Sequence, residues 1–168
     1  MSQTAVAEST STARDFDFWM GRWHGRNRRL KERLAGCTEW EEFDSKSIAR
    51  SILGGTANED VFLTDYDGGY VGMSFRFFDP EKRRWSIYWA DSRRPGELDP
   101  PVVGCFEGDL GVFHGEDVHR GRPVLVRFTW SRGTTECPRW EQAFSDDGGR
   151  TWETNWVMDF APAEGGSV

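Results

Sequence analysis

The chain has 168 residues, a formal net charge of -7 and 14% aromatic residues, among them 9 Trp and 12 Phe. That length predicts one domain with a sizeable core, and 29% charged residues mark it as globular, with aromatic surface that is buried or forms a binding wall. The acidic balance disfavours a nucleic-acid partner through repulsion from phosphate, and no run approaches the ~20 apolar residues that cross a bilayer.

Residues 1–14 read as a disordered polar tail that lacks the basic start and apolar centre of a secretory signal. Cys37, Cys105 and Cys137 are far apart and odd in number, which fits reduced thiols in a cytoplasm better than a disulfide framework or a metal site. In ARDFDFWMGRWHGRNRRL, Asp15 is expected to cap a short helical turn through Met20, Gly21 to end it, and Trp23 to enter the first strand. The basic run from Arg22 to Arg33 reads as a solvated strand with its charges pointing outward.

Further strands are predicted at roughly 40–51, 58–65, 70–78, 84–91, 101–107, 110–115, 123–131, 138–145 and 151–160. Most are bounded by turn chemistry such as Leu53-Gly54-Gly55, Asp67-Gly68-Gly69 and Asp147-Gly148-Gly149. Nothing long enough for a helical crossover intervenes, so the fold class is all-β, a sandwich or a barrel over residues 15–162 with a short flexible tail at 163–168. Segment 91–101, with Pro95, Pro100 and Pro101, is the one long loop and is placed over a barrel mouth.

Alternation assigns apolar faces to Val71, Met73, Phe75 and Phe77, to Trp85, Ile87 and Trp89, and to Val124, Val126, Phe128 and Trp130. Strand 84–91 also carries Tyr88 and Ala90 on its other face, a second packing surface for a lid, a helix or the partner of a homodimer. The sharpest pattern is WEQAFSDDGGRTWETNWVMDF, two alternating segments around a Gly-containing turn. Trp140, Gln142 and Phe144 share one face, and Trp152, Thr154, Trp156, Met158 and Phe160 continue it, with Glu141, Glu153, Asn155 and Asp159 opposite.

Within that hairpin, Ser145, Asp147, Gly149, Thr151 and Trp152 fit S-x-D-x-G-x-T-W and resemble an Asp-box. A single copy in 168 residues implies a structural turn closed on Asp147, and no glycosidase chemistry. Gly21-Arg22-Trp23 after Phe16, Phe18 and Trp19 resembles the entry of lipocalin and calycin barrels, in which the Trp lies beneath an Arg from a late strand; Arg127 is the candidate here. Residues 15–160 as a whole resemble an uncharacterised bacterial family of calycin-like barrels. That resemblance implies a closed antiparallel barrel of roughly eight to ten strands with an internal cavity. It implies no single reaction, since the group includes carriers, haem-binding barrels and cofactor-free enzymes.

No catalytic triad or G-x-S-x-G is present, and the acidic pairs Glu41-Glu42, Glu59-Asp60 and Asp146-Asp147 fall on turns or opposite strand faces. Polar groups among aromatics are therefore the candidates: Tyr88 and Gln142 as catalytic residues, with Met73, Phe75, Trp89, Trp140, Thr154 and Trp156 as the binding wall, and Asp91 and Glu42 behind them. One reading is a cofactor-free enzyme, without metal, that folds an apolar polyene- or polyketide-like metabolite for cyclisation or isomerisation while Tyr88 or Gln142 polarises a carbonyl. The other is a carrier or sensor of a small hydrophobic ligand, haem included. For haem the candidate ligands are His24, His114 and His119, none of them near the C-terminal strand where a proximal histidine is expected.

Overall fold

Short alternating segments separated by Gly-rich turns can bury an apolar face only by pairing edge to edge, and ten of them do so in a closed ring. The computed structural model describes residues 9–132 and 137–163. Its strands are β1 (Gly21–Leu30), β2 (Trp40–Ile52), β3 (Ala57–Thr64), β4 (Tyr70–Asp79), β5 (Arg84–Asp91), β6 (Val102–Glu107), β7 (Leu110–His119), β8 (Arg122–Ser131), β9 (Arg139–Ser145) and β10 (Glu153–Pro162). Each pairs antiparallel with its neighbour in sequence, and β10 pairs with β1 to close the barrel. The loops consequently alternate ends. Those after β1, β3, β5, β7 and β9 surround one opening, and the turns after the even strands lie at the other end with the N-terminal segment.

That second end is plugged. A single 3-10 turn, Asp17–Trp19, precedes β1, and Gly21, at a φ of 120° that disfavours any side chain, redirects the chain into the strand. Asp15 does not cap this turn; its carboxylate instead accepts the Thr12 N–H and the Trp85 indole N–H, so it ties the entry segment to β5. Of the expected polar tail, residues 1–8 and 164–168 lie outside the described residues, whereas Ser11 is buried and its Oγ accepts the Phe106 N–H at 3.3 Å. Phe16 and Trp19 thereby enter the barrel. Phe16 meets Trp85 and Phe106 edge-on at 5.0 and 5.1 Å, and Trp19 stacks on Trp23 at 5.3 Å.

Above the plug lies a buried ion pair. Arg76 Nη2 is 2.5 Å from Asp60 Oδ1, its Nη1 donates to Asn58 Oδ1, and the Trp19 indole donates to the same aspartate oxygen. The guanidinium also lies 5.1 Å from the Phe16 ring centre and 5.6 Å from that of Trp130. The arginine at the closed end is thus Arg76 from β4. Arg127, expected to lie beneath Trp23, points outward over Trp152 at 4.5 Å. Trp23 instead donates its indole N–H to the Trp19 carbonyl.

β4 carries the largest departure from the expected faces. Tyr70, Gly72, Ser74 and Arg76 point inward, so Val71, Met73, Phe75 and Phe77 lie on the outer surface. Hairpin pairing forces this: Asp79 pairs with Arg84, so Phe78 pairs with Trp85 and Phe75 with Tyr88. Once Trp85, Ile87 and Trp89 face inward, the even-numbered residues of β4 must as well.

Because the pair is desolvated, breaking one side leaves a bare charge in the barrel. Arg76→Met is expected to lose about 3–5 kcal/mol of stability in urea unfolding. The double variant D60N/R76M, which removes the stranded charge, should lose less than Arg76→Met alone.

Candidate functional site

Between the plug and the loops lies a cavity of about 290 Å³ whose two halves differ. Strands β1–β4 contribute mainly polar or charged groups, Ser47, Asp60, Ser74 and Arg76, with the ring of Phe62, while β5–β10 contribute Ile87, Trp89, Val126, Phe128, Trp140, Trp156 and Met158, with the Gln142 amide. Such a mostly apolar wall with a few converging polar groups is the usual character of a small-molecule site.

Trp156 is the most constrained of these side chains. Its indole N–H donates to Asn27 Oδ1 at 3.0 Å, and Asn27 is oriented by donating to Ser45 Oγ at 2.9 Å. Its ring meets Trp140 edge-on at 5.6 Å. The β9–β10 pairing slips by one residue between Thr154 and Trp156, so Asn155 and Trp156 both turn inward. Asn155, fully buried, accepts a hydrogen bond from Gln142 Nε2 at 2.8 Å, and its own Nδ2 has no partner among the described residues.

Trp89 lies flat across β4, where a Cβ on Gly72 would collide with the indole; glycine there lets the ring enter the cavity. Its N–H donates to Asp91 Oδ2 at 3.2 Å. Asp91 is buried at the mouth and accepts two hydrogen bonds from the Arg93 side chain and one from its backbone. Burial pushes this carboxyl up, but the Arg93 and Trp89 hydrogen bonds outweigh it and hold the pKa at about 2. Arg93 in turn lies 3.6 Å above the Tyr70 ring, and Arg94 pairs with Asp99 at 2.7 Å, so the 92–101 loop is stitched over the opening.

Two further guanidiniums face the mouth from the β1 side. Arg29 is 5.1 Å from the Trp156 ring centre and Arg33 is 5.4 Å from that of Phe144. Burial, and then the neighbouring Arg29, push Arg33 down to about 10. His119 also borders the cavity, and its pKa is lowered by burial and by Arg33 and Arg120.

A phycobiliprotein lyase shares this architecture. The S-type phycobiliprotein lyase CPES from Guillardia theta superposes with a TM-score of 0.59 over 98% of this chain and 100% of its own, at 10% sequence identity. At that identity the likeness is one of fold. No family model and no curated protein matches the sequence.

Of the residues singled out from the sequence, Trp89, Trp140, Gln142 and Trp156 line one cavity. The other four face outward. Met73 and Phe75 lie on the outer face of β4, and Tyr88 packs beside them with its ring edge-on to Phe77 at 5.9 Å. Thr154 pairs with outward-facing Ala143 on the far side of the bulge. Glu42 lies on the outer face of β2, whereas Asp91 lines the mouth. His24 and His114 also sit on the outer face, away from the cavity. The polar wall of β1–β4 escaped the sequence reading, although the β4–β5 hairpin parity carried a signal for Ser74 and Arg76. No helix among the described residues is long and apolar enough to cross a membrane, and no group of three metal-ligating side chains forms there.

Asp91 makes the mouth acid-sensitive. Its carboxyl is held below the unfolded value near ~4, so its contacts stabilise the fold above that pH and are lost as pH falls through about 2. The melting-temperature gap between wild type and Asp91→Asn should therefore be widest above about pH 4 and close towards about pH 2.

Proposed function

We propose that the barrel binds an extended apolar small molecule, its body lying along the aromatic half of the cavity. The observation that carries this reading is the cavity itself: the barrel is sealed by the plug, yet Trp89, Trp140 and Trp156 enclose about 290 Å³ above it. A core that needed only stability would have filled that space with side chains, as protein interiors ordinarily do. Sharing a fold with a phycobiliprotein lyase supports a pigment-like ligand as the class.

Retention or rearrangement of the ligand separates a carrier from an enzyme. The enzymatic version rests on Gln142, the amide in the cavity wall that Asn155 orients, because the phenol of Tyr88 cannot reach the interior. Cyclisation or isomerisation would then be an intramolecular rearrangement, its bonds broken and formed within the confined molecule beside that amide, with no covalent bond to the protein. Native mass spectrometry of protein from its own host separates the versions. One bound compound supports a carrier, and a substrate with its isomer supports turnover. His119 is the imidazole at the cavity, so a haem ligand would show as a Soret band that His119→Ala abolishes.

The neutral dye N-phenyl-1-naphthylamine tests the vessel directly. Ser74→Phe places a ring in the cavity opposite Trp89, its cross-strand partner. The dye's fluorescence enhancement should fall about tenfold or more, with the melting temperature unchanged or raised. Equal enhancement in both proteins would put the dye on the outer face of Met73, Phe75 and Phe77 and overturn the proposal.

A further inference from the structure

The cavity is closed at one end by a neutralised ion pair, and its mouth carries the opposite arrangement. Arg29 and Arg33 both border the cavity, each against an aromatic ring, and among the described residues neither forms an ion pair. The acidic groups around them are engaged elsewhere. Glu41, the cross-strand neighbour of Arg29, binds the Tyr66 hydroxyl, and Glu153 accepts the Leu34 N–H at 2.7 Å. Asp91 is taken by Arg93 and Arg94, and Asp99 by Arg94. Glu116 and Asp117 also line the mouth, but from β7, where Asp117 accepts the Val118 N–H.

Two buried donors in the same group are left over. Arg33 Nη2 and the Tyr70 hydroxyl have no partner among the described residues, although Tyr70 is only 4% exposed. A guanidinium that burial and a second guanidinium both disfavour is retained only where something compensates it. Among the described residues no carboxylate lies within ion-pair distance of it. A charge brought by a ligand would supply that compensation.

We propose that the ligand carries an oxyanion at one end, a carboxylate or a chemically similar group, held by Arg29 and Arg33 at the mouth while its apolar body lies against Trp140 and Trp156. Two planar forks on one side of the opening match an oxyanion's several acceptors, and the rings beneath them hold the guanidiniums in place. The apolar body is desolvated below and the charge is neutralised above, so orientation is fixed by the ligand's own polarity. This inference rests on the barrel being a vessel, and its test separates the two ideas.

A matched pair of dyes supplies the test: 8-anilinonaphthalene-1-sulfonate, and N-phenyl-1-naphthylamine, which is the same ring system without the sulfonate. In wild type the sulfonate should bind about ten- to a hundredfold tighter than the neutral dye. Arg33→Gln and Arg29→Gln should each weaken the sulfonate by about tenfold and leave the neutral dye within about twofold. Arg26→Gln, on the outer face of β1, should change neither. Melting curves accompany each variant, and if one fails to fold the other carries the comparison, with the salt dependence of sulfonate binding to wild type as a second readout. Equal affinity of wild type for the two dyes, or parallel loss of both in the arginine variants, overturns the oxyanion site. Failure of wild type to bind the neutral dye in the cavity, with the sulfonate still bound and lost in the arginine variants, overturns the vessel reading alone.

Discussion

The buried pair of Asp60 and Arg76 connects every layer of this barrel. Two charges removed from water are tolerable only when their remaining valences are filled, and here Trp19, Asn58 and the rings of Phe16 and Trp130 do most of that work. Those partners come from the entry segment, from β3 and from β8, so the pair joins the plug to strands on both sides of the ring. It also sets the floor of the cavity. Below it the interior is packed ring against ring; above it the wall diverges into a polar and an aromatic half.

Much of this was legible in the sequence because alternation is a local property. The inward faces of β5 and β8, and Trp140, Gln142 and Phe144 of β9, follow from period two within single strands. The all-β class follows from the Gly-rich punctuation between them. What could not be read strand by strand was the relation between strands. On β4 the bulkiest residues, Met73, Phe75 and Phe77, look like a core face, yet the register of the hairpin with β5 puts the serine and the arginine inside. On β10 a one-residue slip places Asn155 among the aromatics and Thr154 outside. Both are consequences of pairing, which no single segment encodes. The basic run of β1 shows the same limit. Arg22, Arg26 and Arg28 are exposed as expected, but Arg29 follows Trp23, Gly25 and Asn27 onto the inner face.

Chemically, the interior is a gradient rather than a uniform apolar hole. Its floor holds a compensated cation, its middle a divided wall, and its rim guanidiniums stacked on rings. The aromatic half presents shape without directionality, whereas the Gln142 amide, held by Asn155, and the arginines of the rim are directional groups. Tight packing of Trp156 between Asn27 and Trp140 gives that wall a rigid, preformed surface.

The alternation of loops between the two ends has a bearing on how such a chain diversifies. Every strand is hydrogen-bonded only to its sequence neighbours and to the closing partner, so each loop joins strands that are already held together by their ladder. The segments around the opening can therefore lengthen, shorten or change composition while the plug and its ion pair stay untouched. The 92–101 loop lies at the open end and the buried ion pair at the plugged one. Changes in these loops that spare the contacts of Asp91 with Trp89 and Arg93 leave the deeper ion pair and the plug in place. The rim of such a barrel can change shape without the scaffold first being rebuilt.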